Sequence, residues 1–190
     1  MNAEIINIEE NTKDTKIFTL NLEKKFEFIS GQFIKLKIKG SDLTRAYSIS
    51  SPGGKTKEIK LTIKVYEDGT FTKEVNKLKV GELLDIEGPY GEFTFKGDTD
   101  KNIVLIAGGS GISTLYGIIR FVLDNDYKNK IKLIYSSKNS EDIIYKNEIE
   151  GLNKKYENFS FLFTITGEDA TWKGHKGRLT KQELDMSIED

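Results

Sequence analysis

The chain has 190 residues, which is enough for one large domain or two small ones. Its formal net charge of −1 provides no overall field that would favour nucleic acid or an acidic membrane, so we predict neither as a partner. The absence of cysteine excludes disulfides and thiolate metal sites, and the single histidine argues against a metal cluster. Because no signal peptide or long apolar run is evident, we predict a cytoplasmic protein without a metal site.

Alternating apolar and polar residues dominate the first half of the chain and predict antiparallel strands. The clearest alternations cover residues 32–39 and 59–65. Further strands are predicted at residues 15–22, 83–87 and 91–95, with one short helix near residues 72–78. About six antiparallel strands with one short helix indicate a small barrel, or a sandwich, over residues 1–98.

From residue 102 onwards, strands and helices alternate. The apolar run 102–107 predicts a parallel strand that is buried on both faces, and later strands are predicted at 131–136 and 159–166. Helices are predicted from the spacing of Ile112, Leu115, Ile119 and Val122, and at 141–156 and 181–186. This order predicts an α/β domain with a parallel sheet over residues 99–190, separated from the first domain by the polar stretch 96–100.

Three short motifs carry chemistry, and they follow one another along the chain. Residues 45–48 offer a cation, a flat ring and a small hydroxyl directly after an alternating strand. Residues 69–72 place a glycine and two hydroxyls where a helix is predicted to begin, and a helix start with a capping hydroxyl can bind an anion. Residues 108–112 form a glycine loop between a strand and a helix, where a pyrophosphate can meet backbone N–H groups.

The order and spacing of these motifs, with Gly88-Pro89-Tyr90-Gly91 between the second and the third, resemble the ferredoxin–NADP reductase superfamily over about residues 5–179. The resemblance implies a flavin on the antiparallel barrel and a nicotinamide dinucleotide on the α/β domain. The implied chemistry is hydride transfer from NAD(P)H to flavin N5, followed by one-electron delivery to a carrier protein or a small-molecule acceptor. We therefore predict an NAD(P)H-dependent flavoprotein reductase.

Within the first motif, Tyr47 and Ser48 are the candidate catalytic residues. Arg45 is expected to anchor the flavin phosphates because a guanidinium offers paired donors, and the Tyr47 ring can cover one face of the flavin. The resemblance places Ser48 near N5. A regular strand would direct Ser48 away from Arg45 and Tyr47, so all three can touch one ligand only where the strand bends or the flavin lies across its end.

The other candidate cofactor-binding residues form two groups. Those expected beside the flavin are Lys64, Val65, Gly69, Thr70, Phe71 and Thr72. Those expected beside the dinucleotide are Gly108, Gly109, Ser110, Gly111, Ile112, Ser137 and Lys138. We predict FAD rather than FMN because the 69–72 element provides for a second phosphate. Two hydroxyls and a cation at residues 136–138, in place of an acidic residue, slightly favour NADPH over NADH.

The chain also departs from the family pattern. Ser113 and Thr114 stand where the family normally has a small residue and a proline, and His175 is predicted to lie in an exposed loop. No counterpart of the family's terminal strand is evident, so we predict an incomplete α/β domain whose sheet edge a partner subunit could cover. This chain alone is then expected to reduce flavin with NAD(P)H poorly, if at all. The alternative function is a flavin-binding electron-transfer subunit or fragment without an intact nicotinamide site.

Overall fold

The first sheet of the computed structural model, which describes residues 1–97 and 99–189, is an antiparallel barrel. Its six strands among these residues are β1 (Asn2–Thr12), β2 (Thr15–Phe28), β3 (Phe33–Ile38), β4 (Thr44–Ser48), β5 (Gly54–Lys64) and β6 (Leu83–Tyr90). They are hydrogen-bonded in the order β4-β3-β6-β1-β2-β5, and an isolated bridge between Ile49 and Leu61 joins the end of β4 to β5. The predicted barrel is therefore confirmed, whereas Asp98, the predicted end of its domain, lies outside the described residues.

The barrel core follows from the alternation of its strands. Ile34 and Leu36 of β3 are buried, as are Leu61 and Ile63 of β5, while the lysines between and beside them are more exposed. One helix, α1 (Thr70–Lys77), packs on this core with Phe71 and Val75, which lie one turn apart. The helix confirms the single helical element predicted in this half.

Two features of the barrel differ from the prediction. Strand β1 was not predicted, because a register shift between Ile5 and Asn7 interrupts its alternation and leaves Ile6 exposed. Residues 91–95 were predicted as a strand but form none. Gly91 has a φ of 102°, which turns the chain out of the ladder, and Phe95 instead packs against the core of the second sheet.

The second sheet is parallel and confirms the predicted α/β fold. Its strands, in the hydrogen-bonded order β10-β9-β8-β7, are β7 (Ile103–Gly108), β8 (Ile131–Ser137), β9 (Phe159–Ile165) and β10 (His175–Lys176). The helices of this half are α2 (Ile112–Asp124), α3 (Lys146–Lys155) and α4 (Lys181–Glu189). No helix in the described part of the chain is both long and apolar enough to cross a membrane.

Strand β7 is buried on one face only, so the prediction of burial on both faces was wrong. Leu105 and Ala107 are buried, whereas Val104 and Ile106 between them are exposed, Ile106 by 56%. Within the described residues, β7 is the edge strand of its sheet. The apolar run therefore reflects one buried face and one apolar face that the described residues leave open.

The helix predicted over residues 141–156 begins only at Lys146. Residues 140–142 form a separate 3₁₀ turn, and Tyr145 has a φ of 61°, a left-handed conformation that ends any helix approaching from upstream. The Tyr145 N–H donates to Asn11 Oδ1 at 2.8 Å, and its side chain is buried. Packing against the barrel thus overrides the helical pattern of the sequence.

The same tyrosine joins the two sheets. Its hydroxyl makes a buried hydrogen bond with the Thr62 hydroxyl of β5, and its ring stacks on Tyr116 of α2 with centroids 3.9 Å apart. The β1–β2 hairpin adds Asn11, which bonds both the Tyr145 N–H and a carboxylate of α3, and Lys13, which forms ion pairs with the 3₁₀ turn. Buried contacts and an ion-pair rim therefore hold the barrel against the α/β half.

His175 is part of β10 rather than an exposed loop, so its prediction was wrong. Its Nδ1 lies 2.9 Å from the Thr164 hydroxyl of β9, and its Nε2 lies 3.0 Å from Glu183 of α4. The hydrogen bond between His175 and Glu183 is the largest cause of a lowered Glu183 pKa, and bonds from the Thr180 N–H and hydroxyl add to it. Together they lower the pKa of Glu183 to about 2. Histidine and carboxylate together attach α4 to the edge of the sheet.

Replacing Glu183 with glutamine is expected to remove a pH-dependent part of the stability. A carboxylate whose pKa is depressed on folding stabilises the fold above its unfolded pKa of 4.5, and this contribution disappears as the pH falls to about 2. Urea unfolding across this range should show the wild-type and Glu183→Gln midpoints converging as the pH falls. A difference that stays constant with pH would contradict the assignment.

Candidate functional site

A cleft of about 490 Å³ lies between the barrel and the start of α2. Five segments line it, and they contribute Arg45, Ala46, Tyr47 and Ser48, then Thr62, Lys64 and Tyr66, then Gly69, Thr70, Phe71 and Thr72, then Ser110 and Gly111, and last Ser113 and Thr114. All three sequence motifs therefore meet at one place. The cleft contains ten of the sixteen predicted site residues among its lining.

Arg45, Tyr47 and Ser48 all line the cleft even though they alternate along β4. In the register with β3, Tyr47 lies opposite Ile34 and Ser48 opposite Phe33, so the tyrosine and the serine belong to opposite faces. Strand β4 ends at Ser48, and the cleft passes around this end. The end of the strand thus resolves the conflict that strict alternation posed.

The arginine and the tyrosine differ in environment. Arg45 is exposed, and its Nη1 donates to the Thr44 carbonyl at 2.9 Å. The Tyr47 ring packs on Phe71 of α1 with centroids 6.0 Å apart. Burial raises the pKa of Tyr47 to about 12, although the nearby Arg45 charge opposes the rise. At neutral pH, Tyr47 is therefore a neutral phenol that can donate a hydrogen bond.

Ser48 contacts the α/β half directly. Thr114, in the first turn of α2, donates from its hydroxyl to Ser48 Oγ over 2.6 Å. The two residues also line a second cleft of about 420 Å³, whose other members include Gly108 and Gly111. A pair of hydroxyls therefore stands where the two clefts meet.

The second motif forms the start of α1, though not with the cap that was predicted. The helix begins at Thr70 with Gly69 at its N-cap, and in the described chain no side chain caps this end. The Thr72 hydroxyl instead accepts from the Tyr66 N–H at 3.2 Å, and a β-carbon on Gly69 would lie 2.2 Å from that hydroxyl oxygen. Because first-turn N–H groups lack partners within a helix, this end of α1 can bind an anion.

Lys64 and Val65, which are adjacent in sequence, lie in different places. Lys64 lines the cleft and forms an ion pair with Asp14 at 2.9 Å. Burial disfavours the charged carboxylate of Asp14, but hydrogen bonds from Lys64 and two threonines outweigh that effect and lower its pKa. Val65 lies outside this cleft, in a smaller depression beside Asp14, so the structure does not bring it to the other candidates.

The glycine loop follows β7 as a 3₁₀ turn and leads directly into α2. Gly109 has a φ of 49°, and its carbonyl accepts from the Tyr135 hydroxyl at 2.9 Å. Among the described residues, no atom would lie within 4 Å of a β-carbon added at Gly108, Gly109 or Gly111. The backbone of the loop is therefore open to a ligand, whereas the Ile112 side chain is buried and could take part only through its backbone.

Ser137 and Lys138 lie at the carboxyl end of β8, outside the cleft. Gly108 pairs with Ser136 across the sheet, so the glycine loop and these residues share one edge. The Ser137 side chain is only 5% exposed, whereas Lys138 is exposed. Only Lys138 of the two offers its side chain to a ligand at this edge.

Five cleft residues were not among the predicted site residues: Ala46, Thr62, Tyr66, Ser113 and Thr114. Thr62 could have been found, because it lies two residues before Lys64 in β5 and therefore faces the same side. The sequence marks Thr114 only as a departure from the family pattern. Its contact with Ser48 spans 66 positions of sequence and depends on how the two sheets pack.

Comparisons with known proteins agree with this geometry. Residues 2–95 match the family described as the oxidoreductase FAD-binding domain, and residues 105–190 match the oxidoreductase NAD-binding domain. The chain is 33% identical to NADH-cytochrome b5 reductase 2 of Kluyveromyces lactis over 188 residues, which are 95% of this chain and 64% of the relative. It is 30% identical to the phenol 2-monooxygenase reductase component DmpP of Pseudomonas sp. strain CF600, over 83% of this chain and 46% of that protein.

Solved structures share the fold. The chain aligns over its whole length with 58% of the CS-b5R domains of human Ncb5or, with a TM-score of 0.89 and 24% identity. It also aligns over its whole length with 77% of a ferredoxin NADP⁺ reductase from Neisseria gonorrhoeae, with a TM-score of 0.83 and 21% identity. The two curated relatives are longer, and the chain spans 46% and 64% of their lengths.

A barrel matched by an FAD-binding domain and a parallel sheet matched by an NAD-binding domain together cover nearly the whole chain, in the order that the sequence motifs predicted. The chain belongs to the ferredoxin–NADP reductase superfamily.

Proposed function

We propose that this protein is an FAD-dependent oxidoreductase that takes electrons from NAD(P)H and passes them to a one-electron carrier. The observation that carries the proposal is the convergence of the three motifs on one cleft. The barrel supplies a cation, a phenol, a serine hydroxyl and an open helix start, and the α/β half supplies a glycine loop. A single ligand with a flat ring and phosphates matches this set of groups.

The residues fit FAD, and each has a distinct task. Arg45 and the N–H groups of the first turn of α1 would hold the phosphates, because both are donors to anions. Tyr47 would cover a ring face, and Ser48 would meet the reactive edge of the ring. When bound, the flavin would supply the conversion of a two-electron donor into one-electron deliveries. The chain's own residues orient it and hold its charge.

The second ligand would bind along the glycine loop. The space above Gly108, Gly109 and Gly111 is open, and α2 begins directly behind the loop. A pyrophosphate there would meet backbone N–H groups and the positive end of the helix dipole. We also propose that residues 1–98 and 99–190 act as two domains, with the reaction taking place between them.

We propose NADH as the preferred donor. The exposed Lys138 supports NADPH, as the sequence pattern did, but the burial of Ser137 removes one of the hydroxyls on which that argument relied. Relatives such as that of Kluyveromyces lactis carry NADH in their names, which also supports the proposal. Stopped-flow reduction of the FAD-loaded protein by each dinucleotide decides the preference, and faster reduction by NADPH would overturn it.

The overall proposal is tested by titrating the protein with FAD and then mixing the loaded protein with NADH under anaerobic conditions. We expect tight uptake of FAD and slow bleaching of its visible absorbance by this chain. Failure to take up FAD would overturn the proposal. Uptake without bleaching would favour the second candidate, a flavin-binding electron-transfer subunit. Its supporting observation is the exposed apolar face of β7 at Val104 and Ile106, which another subunit could cover.

Replacing Ser48 with alanine is expected to slow flavin reduction about tenfold while FAD occupancy stays nearly unchanged. The Ser48 hydroxyl would contribute mainly when the electronic state of the ring changes, so its loss should affect the reduction rate more than FAD binding. A tenfold change in rate equals about 1.4 kcal/mol, the scale of one hydrogen bond. Stopped-flow rates and FAD dissociation constants of the two proteins check this. Equal losses in rate and affinity would mean that Ser48 serves binding alone.

A further inference from the structure

The contact between Ser48 and Thr114 has a property that neither residue has alone. Both side chains are hydroxyls, they are 2.6 Å apart, and they come from different halves of the molecule. Each hydroxyl can donate one hydrogen bond and can accept two. The pair can therefore point its hydrogen bond in either direction, from Thr114 to Ser48 or from Ser48 to Thr114, without moving a heavy atom.

This reversibility matches a need of the cofactor, and the inference therefore rests on the proposed function. In an oxidised flavin N5 has a lone pair and accepts a hydrogen bond, whereas in a reduced flavin N5 carries a hydrogen and donates one. A serine beside N5 must change from donor to acceptor when the flavin is reduced. Ser48 is half-buried in the structure, and a flavin in the cleft would cover it further. Its own hydrogen then needs another acceptor, because a covered donor without a partner costs free energy.

We propose that Thr114 is a positioning residue that provides this second acceptor and so allows Ser48 to serve both redox states. With oxidised flavin, Thr114 would donate to Ser48, the direction in which the two are paired in the structure, and the Ser48 hydrogen would be free to donate to the cofactor. With reduced flavin, the bond would reverse, and Ser48 would donate to Thr114. The Thr114 hydrogen can then turn to a carbonyl of the preceding turn, as threonine hydroxyls in helices do.

The location of Thr114 suits this task. It lies in the first turn of α2, at the junction of the two clefts, and lines both of them. Its contact with Ser48 is not what holds the two halves together. The buried bond between Tyr145 and Thr62 and the ion pairs of Lys13 also cross the interface. Removal of the Thr114 hydroxyl should therefore leave the fold intact.

The proposal gives the direction of the effect of Thr114→Val, a change that keeps the branched shape and removes the hydroxyl. Ser48 can still donate to an oxidised flavin, but beside a reduced flavin its hydrogen loses its acceptor. The variant should therefore disfavour the reduced state and lower the midpoint potential of the bound FAD. We expect the redox equilibrium constant to fall about tenfold, which for a two-electron couple equals about 30 mV.

Four variants, which are Thr114→Val, Thr114→Ser, Ser48→Ala and the Ser48→Ala/Thr114→Val pair, test the proposal on the FAD-loaded protein by redox titration followed through the visible absorbance. Thr114→Val should lower the potential, and Thr114→Ser, which restores a hydroxyl, should return it to the wild-type value. In a Ser48→Ala background, Thr114→Val should have no effect, because Thr114 acts through Ser48. The urea midpoint of Thr114→Val should match the wild type, which separates this role from a merely structural one.

The outcomes distinguish this inference from the proposed function. FAD binding with an unchanged potential in Thr114→Val overturns the inference alone. The same holds if Thr114→Val shifts the potential equally with and without the Ser48 hydroxyl, because the effect would then bypass Ser48. A protein that binds no FAD overturns both the inference and the proposed function.

Discussion

The change of Arg45 to alanine is expected to weaken FAD binding by about 1–3 kcal/mol, which is roughly 5- to 150-fold in Kd. Arg45 is the cation of β4 that faces the cleft, and the other nearby cation, Lys64, is already paired with Asp14. Loss of the guanidinium would leave the flavin phosphates with mainly backbone donors at the start of α1. Quenching of FAD fluorescence during titration with the apoprotein measures the effect.

Two further variants show whether the shape of the cation or only its charge matters. Arg45→Lys keeps the charge but loses the planar pair of donors, so we expect an intermediate loss of affinity. Lys35→Ala removes a neighbouring cation that pairs with Ala46 in the adjacent strand but lines neither of the two clefts. That control should bind FAD like the wild type. Equal losses for Lys35→Ala and Arg45→Ala would contradict a specific phosphate contact.

A valine at Gly108 is expected to raise the apparent Kd for the nicotinamide dinucleotide at least tenfold, or about 1.4 kcal/mol, while leaving FAD binding unchanged. Gly108 has a φ of −132°, which any residue can adopt, and no described atom would lie within 4 Å of an added β-carbon. The new β-carbon would therefore enter open space above the loop, where we propose that the dinucleotide binds. Reduction rates measured over a range of NADH concentrations give the apparent Kd.

The matched control for this variant is Gly151→Val. A β-carbon added at Gly151, in α3, would also have no described atom within 4 Å, but this residue lies away from both clefts. In both variants the free energy of unfolding, measured by urea titration, should stay within about 0.5 kcal/mol of the wild-type value. If the FAD bound to the Gly108→Val variant is reduced at the wild-type rate at every NADH concentration, the dinucleotide does not approach this loop.

Local patterns in the sequence were sufficient for the barrel and for the order of the motifs. In β3 the buried Ile34 and Leu36 alternate with lysines, and such alternation is a property of the strand itself. The same holds for the glycine loop, because open backbone at Gly108–Gly111 requires only a strand, a turn and a helix in succession. These parts of the site could be predicted before any packing was known.

What the sequence could not provide depends on packing between the two halves. The left-handed Tyr145 is held by Asn11, 134 residues away, and the Ser48–Thr114 bond joins residues whose elements each look complete alone. The absence of a Thr72 cap has a local cause, because the hydroxyl is occupied by the Tyr66 N–H instead. No periodic pattern in the sequence signals the contacts between the two halves, such as those of Tyr145 with Asn11 and of Ser48 with Thr114.

The bonds from the β1–β2 hairpin to the α/β half also constrain how the molecule folds. Asn11 and Lys13 meet partners 128–137 positions later in the chain, so we expect these contacts to form late in folding. Contacts between residues so far apart in the sequence are slow to form because the intervening chain must first be ordered. We therefore expect the cleft between the halves to be assembled late, so that a cofactor binding there stabilises chains that have already folded.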